Sequence, residues 1–364
     1  MPENINNDDF IYFCILALII VIIIIYISYL LYISNLVNRE CSFMNTLYPK
    51  LNSKIKSVSP KIPDCSGNLY DYYIKSSYNS CSGGSYKNDY VDVCVLKSII
   101  KQGVRCLDFE IYNINGKPVV SSSTGNNFFV KETFNFVNFA SVMQIIKDYA
   151  FSTGTCPNPT DPLIIHLRIK SNSQNMYNNL AAIFKSYSKL MLGKEYSYEN
   201  YGKNIADNPL TSFMNKIILV VDKSNNSFLE NKKFLEYINL TSNSVFMRAY
   251  RYYSVKNTPD INELQQFNKK CMTIVFPDEG VNPSNPSGVL CRETGCQMVA
   301  MRYQFVDSFL EENAVFFDQA GFAFALKPAQ LRYSQVTIPT PVKQNPAYSY
   351  ATRNIKTDYY NFNY

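Results

Sequence analysis

The run FIYFCILALIIVIIIIYISYLLYISNLV, from Phe10 to Val37, holds no charged residue. It exceeds the roughly 20 apolar residues that cross a bilayer, so it predicts a single transmembrane helix. A cleaved signal peptide is the alternative. Such peptides open on basic residues and carry an apolar core of about 7–15 residues, whereas the start here, MPENINNDD, is acidic. No Lys or Arg precedes the run, while Arg39, Lys50, Lys54, Lys56 and Lys61 follow it. By the positive-inside rule, this favours a body on the cytosolic side. Cysteine usage pulls the other way. Of ten cysteines, one (Cys14) lies in the span and nine in the body, with Cys291 and Cys296 close together, and such a count suits an oxidising compartment. No CxxC occurs and there is one histidine, so no zinc pattern is present. Sequons at Asn225 and Asn239 would be used only in a lumenal body; in so Asn-rich a chain they are equally well accidental.

The expected layout is an acidic tip (1–9), the span (10–37), a stalk (38–68), a large domain (69–335) and an extended or disordered tail (336–364). From Leu69 onward short apolar runs alternate with amphipathic stretches, the pattern of βα units. The runs Asp71–Ser76, Val104–Tyr112, Leu163–Ile169, Lys216–Val221, Val245–Arg248, Cys271–Phe276, Gln297–Tyr303 and Gly321–Leu326 predict eight strands, the number a closed α/β barrel needs. Helical periodicity marks Phe139–Tyr149, Ser173–Leu192 and Ile261–Lys269. Loops are marked at Ser80–Asn88, Gly154–Asp161 and Pro277–Gly288. The tail is polar and aromatic without periodicity. A net charge of +6 would favour an anionic membrane surface, and no feature points to nucleic acid.

Several segments are similar, in order, to one family. GVRCLDFEIYNINGKPVV (103–120) resembles the X-region of phosphoinositide-specific phospholipase C, and GCQMVAMRYQ (295–304) and GFAFALKP (321–328) resemble its Y-region. IKSSYNS (74–80) and DPLIIHLRI (161–169) extend the match over residues 70 to 332. The resemblance implies a TIM-like (β/α)8 barrel of the PLC-like phosphodiesterase type behind the membrane helix. It also implies a chemistry of phosphodiester cleavage by two histidines assisted by Ca²⁺.

Carried over residue by residue, the two histidine positions fall on Tyr78 and Ser122, and neither side chain titrates where imidazole does. The only histidine, His166, matches neither position. Three calcium-ligand positions fall on Asn79, Asp108 and Glu110, and the fourth on Arg168. The expectation is therefore that the family's Ca²⁺ is lost and that the Arg168 guanidinium bridges Asp108 and Glu110 in its place; the alternative places Arg168 on the outer face. Lys216, Lys223 and Arg302 are candidates for holding an anionic headgroup. The combination predicts a membrane-anchored, catalytically silent module that binds lipid headgroups or proteins. The alternative is an active phosphodiesterase that cleaves phosphatidylinositol-type lipids using His166 with Asp108 or Glu110. Composition and anchor also resemble phospholipase C-like proteins of large DNA viruses, in which capsid or other structural proteins would be partners in a virion.

Overall fold

The segment LIIHLRIK, rich in β-branched residues, forms a strand that sorts its side chains by parity. Leu163, Ile165, Leu167 and Ile169 pack outward against helices, while Ile164 belongs to the inner cluster and shares its face with His166 and Arg168. The neighbouring run does the same, with Leu107, Phe109 and Ile111 outward and Cys106, Asp108 and Glu110 inward. This arrangement is drawn from a computed structural model of the chain, which describes residues 7–125, 127, 129–334, 339–345 and 348–364.

The strands in chain order are β1 (Tyr72–Ser77), β2 (Cys106–Ile114), β3 (Lys117–Ser121), β4 (Val137–Asn138), β5 (Leu163–Lys170), β6 (Ile217–Asp222), β7 (Leu240–Ser242), β8 (Met247–Arg251), β9 (Met272–Phe276), β10 (Met298–Met301) and β11 (Phe324–Leu326). Eight of them form a parallel path in the order β7-β6-β5-β2-β1-β10-β9-β8, a nearly closed barrel with helices around it. Seven of the expected strands lie in this wall, and the eighth does not. Gly321–Leu326 yields β11, which pairs antiparallel with β1 outside the path. The missing stave is β7, three residues long and too short to show a period of two. β3 and β4 extend β2 as an antiparallel ribbon.

The first helix, α1 (Asn7–Leu47), outruns the apolar stretch by ten residues at its C-terminal end. Its residues Phe10 to Tyr32 are largely exposed, while Leu36 and Met44 are buried. Helix α2 (Val93–Lys101) starts where the Asp92 side chain accepts a hydrogen bond from the Cys94 N–H at 2.7 Å. A disulfide joins Cys41 of α1 to Cys94 of α2. Residues 38–68 are thus no free stalk. After the end of α1 they lay Ile55, Val58 and Cys65 into the inner cluster, and the Val58 N–H donates to buried Asp161 at 2.8 Å.

The other cysteine expectation changes as well: Cys291 and Cys296 are both buried and unpaired. At the sequons, the Asn225 amide donates to the Ile169 and Ser171 carbonyls, and the Asn239 amide to the Tyr196 carbonyl. Neither amide is free for a glycan in the folded chain. Residues 1–332 form one compact unit and 333–364 a second, which contains an antiparallel pair, Asn354–Lys356 with Asn361–Asn363. Most of the acidic tip, and residues 336–338, 346 and 347 of the tail, lie outside the described residues.

Candidate functional site

The register of β2 against β5 pairs Asp108 with His166 and Glu110 with Arg168. All four share the inward face, so the fold requires two acids, an imidazole and a guanidinium to meet in a space from which water is excluded. Arg168, 2 % exposed, answers this by using every donor it has. Its Nε donates to Asp108 Oδ1 at 3.0 Å, and its Nη2 to Asp108 Oδ2 and Asn79 Oδ1 at 2.7 Å each. Its Nη1 donates to Glu110 Oε1 at 2.6 Å and to the Tyr78 hydroxyl at 3.3 Å. The guanidinium carbon lies 4.6 Å from the centre of the Tyr78 ring and 5.1 Å from that of Phe276.

Electrostatics follow from this geometry. Burial by itself would raise the pKa of Asp108, but the Arg168 charge and hydrogen bonds from His166 and Arg168 outweigh it and hold the carboxyl well below the usual range. Burial would lower the pKa of Arg168, and the negative charge of Asp108 and Glu110 overrides that and raises it further. Glu110 is satisfied on its far side too, where Oε2 accepts from the Tyr112 hydroxyl at 2.7 Å and the Ser123 N–H at 2.9 Å. Asn79, at φ +42°, also donates its N–H to Asp108 Oδ2 at 3.2 Å.

His166 is fully buried below this cluster. One ring nitrogen meets Asp108 Oδ1 at 2.8 Å and the other meets the Ser242 hydroxyl at 2.9 Å. Ser242, Asp108 and His166 are each 0 % exposed. The chain Ser–His–Asp has the spacing of a nucleophile, base and orienting acid, but none of the three lines the cavity at the mouth or the larger one on the outer wall.

Residues 65–223 match the X domain of phosphatidylinositol-specific phospholipase C, and residues 215–330 match its Y domain. The chain belongs to the PLC-like phosphodiesterase family. Among solved structures, PLC21 of L. pealei is 18% identical at a TM-score of 0.59, and PLC21 of S. officinalis 17% identical at 0.60. Each match covers 74% of this chain and 38% of the other, so this chain corresponds to well under half of those proteins. A calcium-dependent phosphoinositol-specific phospholipase C from a Pseudomonas species, in its apo form, is 9% identical at 0.46, over 76% of this chain and 99% of the other. At such identities the likeness concerns the fold alone. No curated protein matches the chain in sequence.

Within this family frame, the residues at the calcium position do not fit a calcium ion. Ca²⁺ takes six to eight oxygens at about 2.3–2.6 Å, and here oxygens of Asp108, Glu110 and Asn79 are turned onto a permanent cation instead. At the positions expected for the two histidines, the Tyr78 hydroxyl is held by Arg168 and by Arg251 at 3.1 Å, and the buried Ser122 hydroxyl has no hydrogen-bond partner among the described residues.

The headgroup candidates are placed differently from the expectation. Lys216 precedes β6, at the end of the barrel opposite the mouth, and donates to the Lys189 carbonyl at 2.8 Å. Arg302 is 1 % exposed and clamps the loop 277–287 from within, donating to the Pro283 carbonyl and, at 2.5 Å, to Asn282 Oδ1. Of the three, Lys223 alone stands at the mouth end with its side chain open to solvent, 34% exposed and 3.9 Å from Glu199. Two cations that sequence reasoning missed are nearer. Lys170 lies two residues beyond Arg168 on the same strand face, and Arg251 ends β8, donating to the Pro277 carbonyl at 2.7 Å. Lys170, Arg168, Asp222, Asn225 and Phe129 line what remains of the mouth, a cavity of about 110 Å³. That is below the 300–1,000 Å³ of an ordinary ligand site. A larger concavity, about 780 Å³, lies on the outer wall among Tyr73, Val255, Ile261, Leu290, Phe316 and Leu331, away from this chemistry.

Proposed function

We propose that the chain is a membrane-anchored, catalytically silent member of the family, which keeps the barrel as a module that reads anionic headgroups or binds a protein neighbour. The observation that carries this reading is the Arg168 guanidinium bonded to Asp108, Glu110 and Asn79 together. General acid and base groups are each worth about 10²–10⁴-fold in rate. With Tyr78 and Ser122 where the histidines would stand, and no room for a metal, the barrel has neither the proton transfer nor the charge neutralisation that phosphodiester cleavage needs. Lys170, Arg251 and Lys223 at the mouth favour a phosphorylated headgroup over a neutral one. The body is assigned to the cytosolic side on the charge asymmetry around the span, since the cysteine signal against it reduces to the single pair Cys41–Cys94 among otherwise unpaired thiols.

A second reading has one observation in its favour, the Ser242–His166–Asp108 chain, which could serve an unorthodox hydrolase. Complete burial weighs against it. Full-length protein in nanodiscs separates the two when assayed for release of inositol phosphates from phosphatidylinositol and its phosphorylated forms, with and without Ca²⁺. The proposal expects no turnover, together with phosphoinositide-dependent binding; turnover abolished by His166→Ala would replace it with the second reading.

A further inference from the structure

The Cys41–Cys94 disulfide lies where α1 passes from its uncharged run onto the barrel, with Cys41 on α1 and Cys94 in the first turn of α2. Asp92, which caps α2, stands beside it. Its Oδ1 accepts the Cys94 N–H at 2.7 Å and lies 3.7 Å from Cys41 Sγ. Both sulfurs and a carboxylate oxygen of Asp92 fall within 4.8 Å of one another, and all three residues are partly open to solvent.

Contacts other than the S–S bond hold the two halves of this cluster together. Met44 is fully buried in one cluster with Val91 and Val95. Past the end of α1, the Tyr48 hydroxyl donates to the Tyr303 carbonyl at 2.8 Å, and the Asn52 N–H to the carbonyl of Lys101, the last residue of α2, at 3.0 Å. Reduction therefore leaves two thiols facing a carboxylate at a fixed spacing. A tetrahedral zinc ion, with bonds of about 2.3 Å to sulfur and about 2.0 Å to oxygen, needs S···O separations of about 3.5 Å and an S···S separation of about 3.8 Å. The S···O edge is already near that length, at 3.7 Å. Parting the two sulfurs is what reduction does.

Charge points the same way. Glu40 and Asp89 crowd the same junction: a Cβ on Gly84 would collide with both side chains, and Glu40 Oε1 is buried with no hydrogen-bond partner among the described residues. The neighbouring bases are turned elsewhere, Arg39 onto the Tyr32 ring and Lys87 to Glu132 at 3.1 Å. Thiols beside this negative charge hold their protons until a cation replaces them. Two thiolates with a carboxylate suit zinc rather than the calcium or magnesium that oxygens alone would take.

We propose that the reduced chain holds a zinc ion between Cys41, Asp92 and Cys94, with water as the fourth ligand, so that α1 stays clamped to the barrel when the disulfide opens. An external thiol reductant supplies two electrons and two protons to the sulfurs and leaves as its own disulfide. Zinc then displaces both thiol protons to solvent. The site is independent of lipid binding and of catalysis. No local motif announces it, because Cys41 and Cys94 are separated by 53 residues.

Full-length protein in nanodiscs would be reduced with a phosphine, freed of reductant and metal under anaerobic conditions, and titrated with Co²⁺ as a spectroscopic stand-in for zinc. One equivalent should produce the thiolate-to-cobalt charge-transfer band and the strong visible bands of tetrahedral cobalt, and one equivalent of Zn²⁺ should bleach both. Cys41→Ser, Cys94→Ser and Asp92→Asn should each weaken cobalt binding by at least the roughly tenfold that losing a ligand's hydrogen-bond partner costs. Zinc should also raise the melting midpoint of reduced wild type and leave that of reduced Cys41→Ser unchanged. Cys271→Ser, at a free and partly exposed thiol elsewhere on the barrel, should behave as wild type. Circular dichroism before metal is added separates a lost ligand from a lost fold. Asp92→Asn, which keeps both thiols and a capping side chain, decides the matter where a serine variant does not fold. Absence of the charge-transfer band in reduced wild type overturns the proposal, as does a band that survives both serine substitutions at wild-type affinity. Wild-type affinity in Asp92→Asn removes the carboxylate ligand, and overturns the site as well.

Discussion

At the scale of single residues, the site turns on one substitution of charge. A buried cation satisfied by two carboxylates, an amide oxygen and a hydroxyl is stable only as a set, because each partner left alone would be an uncompensated buried charge. Arg168→Met should therefore destabilise the fold by roughly 3–5 kcal/mol in denaturant unfolding, while Arg168→Met combined with Asp108→Asn and Glu110→Gln should recover a large part of that loss. The same series carries a pH signature. The Asp108 pKa is depressed in the folded chain, so its contribution is present above the unfolded value of about 3.9 and is lost as pH falls through the folded one. Wild type should lose stability below about pH 4 more steeply than the triple variant.

The meeting of Arg168 with Asp108 and Glu110 could be anticipated from the resemblance, which puts all three at one site, and the register of β2 against β5 brings them onto one face. Ser242 and Arg251 could not. Each is brought in by a strand whose place in the barrel order depends on distant pairing, and β7 is too short to announce itself. Arg302 misled for a related reason, since a strand-end arginine reads as a mouth residue until the loop folded over it is known.

At the scale of elements, the junction between α1 and the barrel is the departure with most consequence. Charged and polar residues from Asn38 onward read as the end of a span and the start of a linker. The helix continues because Met44 joins Val91 and Val95 in one buried apolar cluster, a tertiary gain that no local pattern records. The Cys41–Cys94 bond closes a separation of 53 residues, which by loop-closure entropy is worth about 4 kcal/mol. Cys94→Ser should lower thermal stability under non-reducing conditions by that order, and dithiothreitol should bring wild type to the level of the variant. β11 shows the opposite limit. Its sequence is as strand-like as any stave, and only its pairing with β1 takes it out of the barrel order.

At the scale of the whole molecule, α1 and the barrel belong to one compact unit, and the part of the fold that builds the barrel was the part most readable from sequence. The succession of short apolar runs and the ordered X- and Y-region segments pointed to it, because wall residues are dictated by burial. The mouth was less readable, since its residues answer to function and to loops that close over them. What the mouth retains is a cation fixed among Asp108, Glu110 and Asn79, a cavity of about 110 Å³, and basic side chains around it. Calcium addressed to the purified full-length protein tests this most directly, followed by thermal unfolding and isothermal titration calorimetry in up to several millimolar Ca²⁺. The account predicts no binding heat and an unchanged midpoint, because the Arg168 guanidinium already holds the oxygens a calcium ion would need. A saturable, calcium-specific rise in the midpoint that disappears in Asp108→Asn would contradict it.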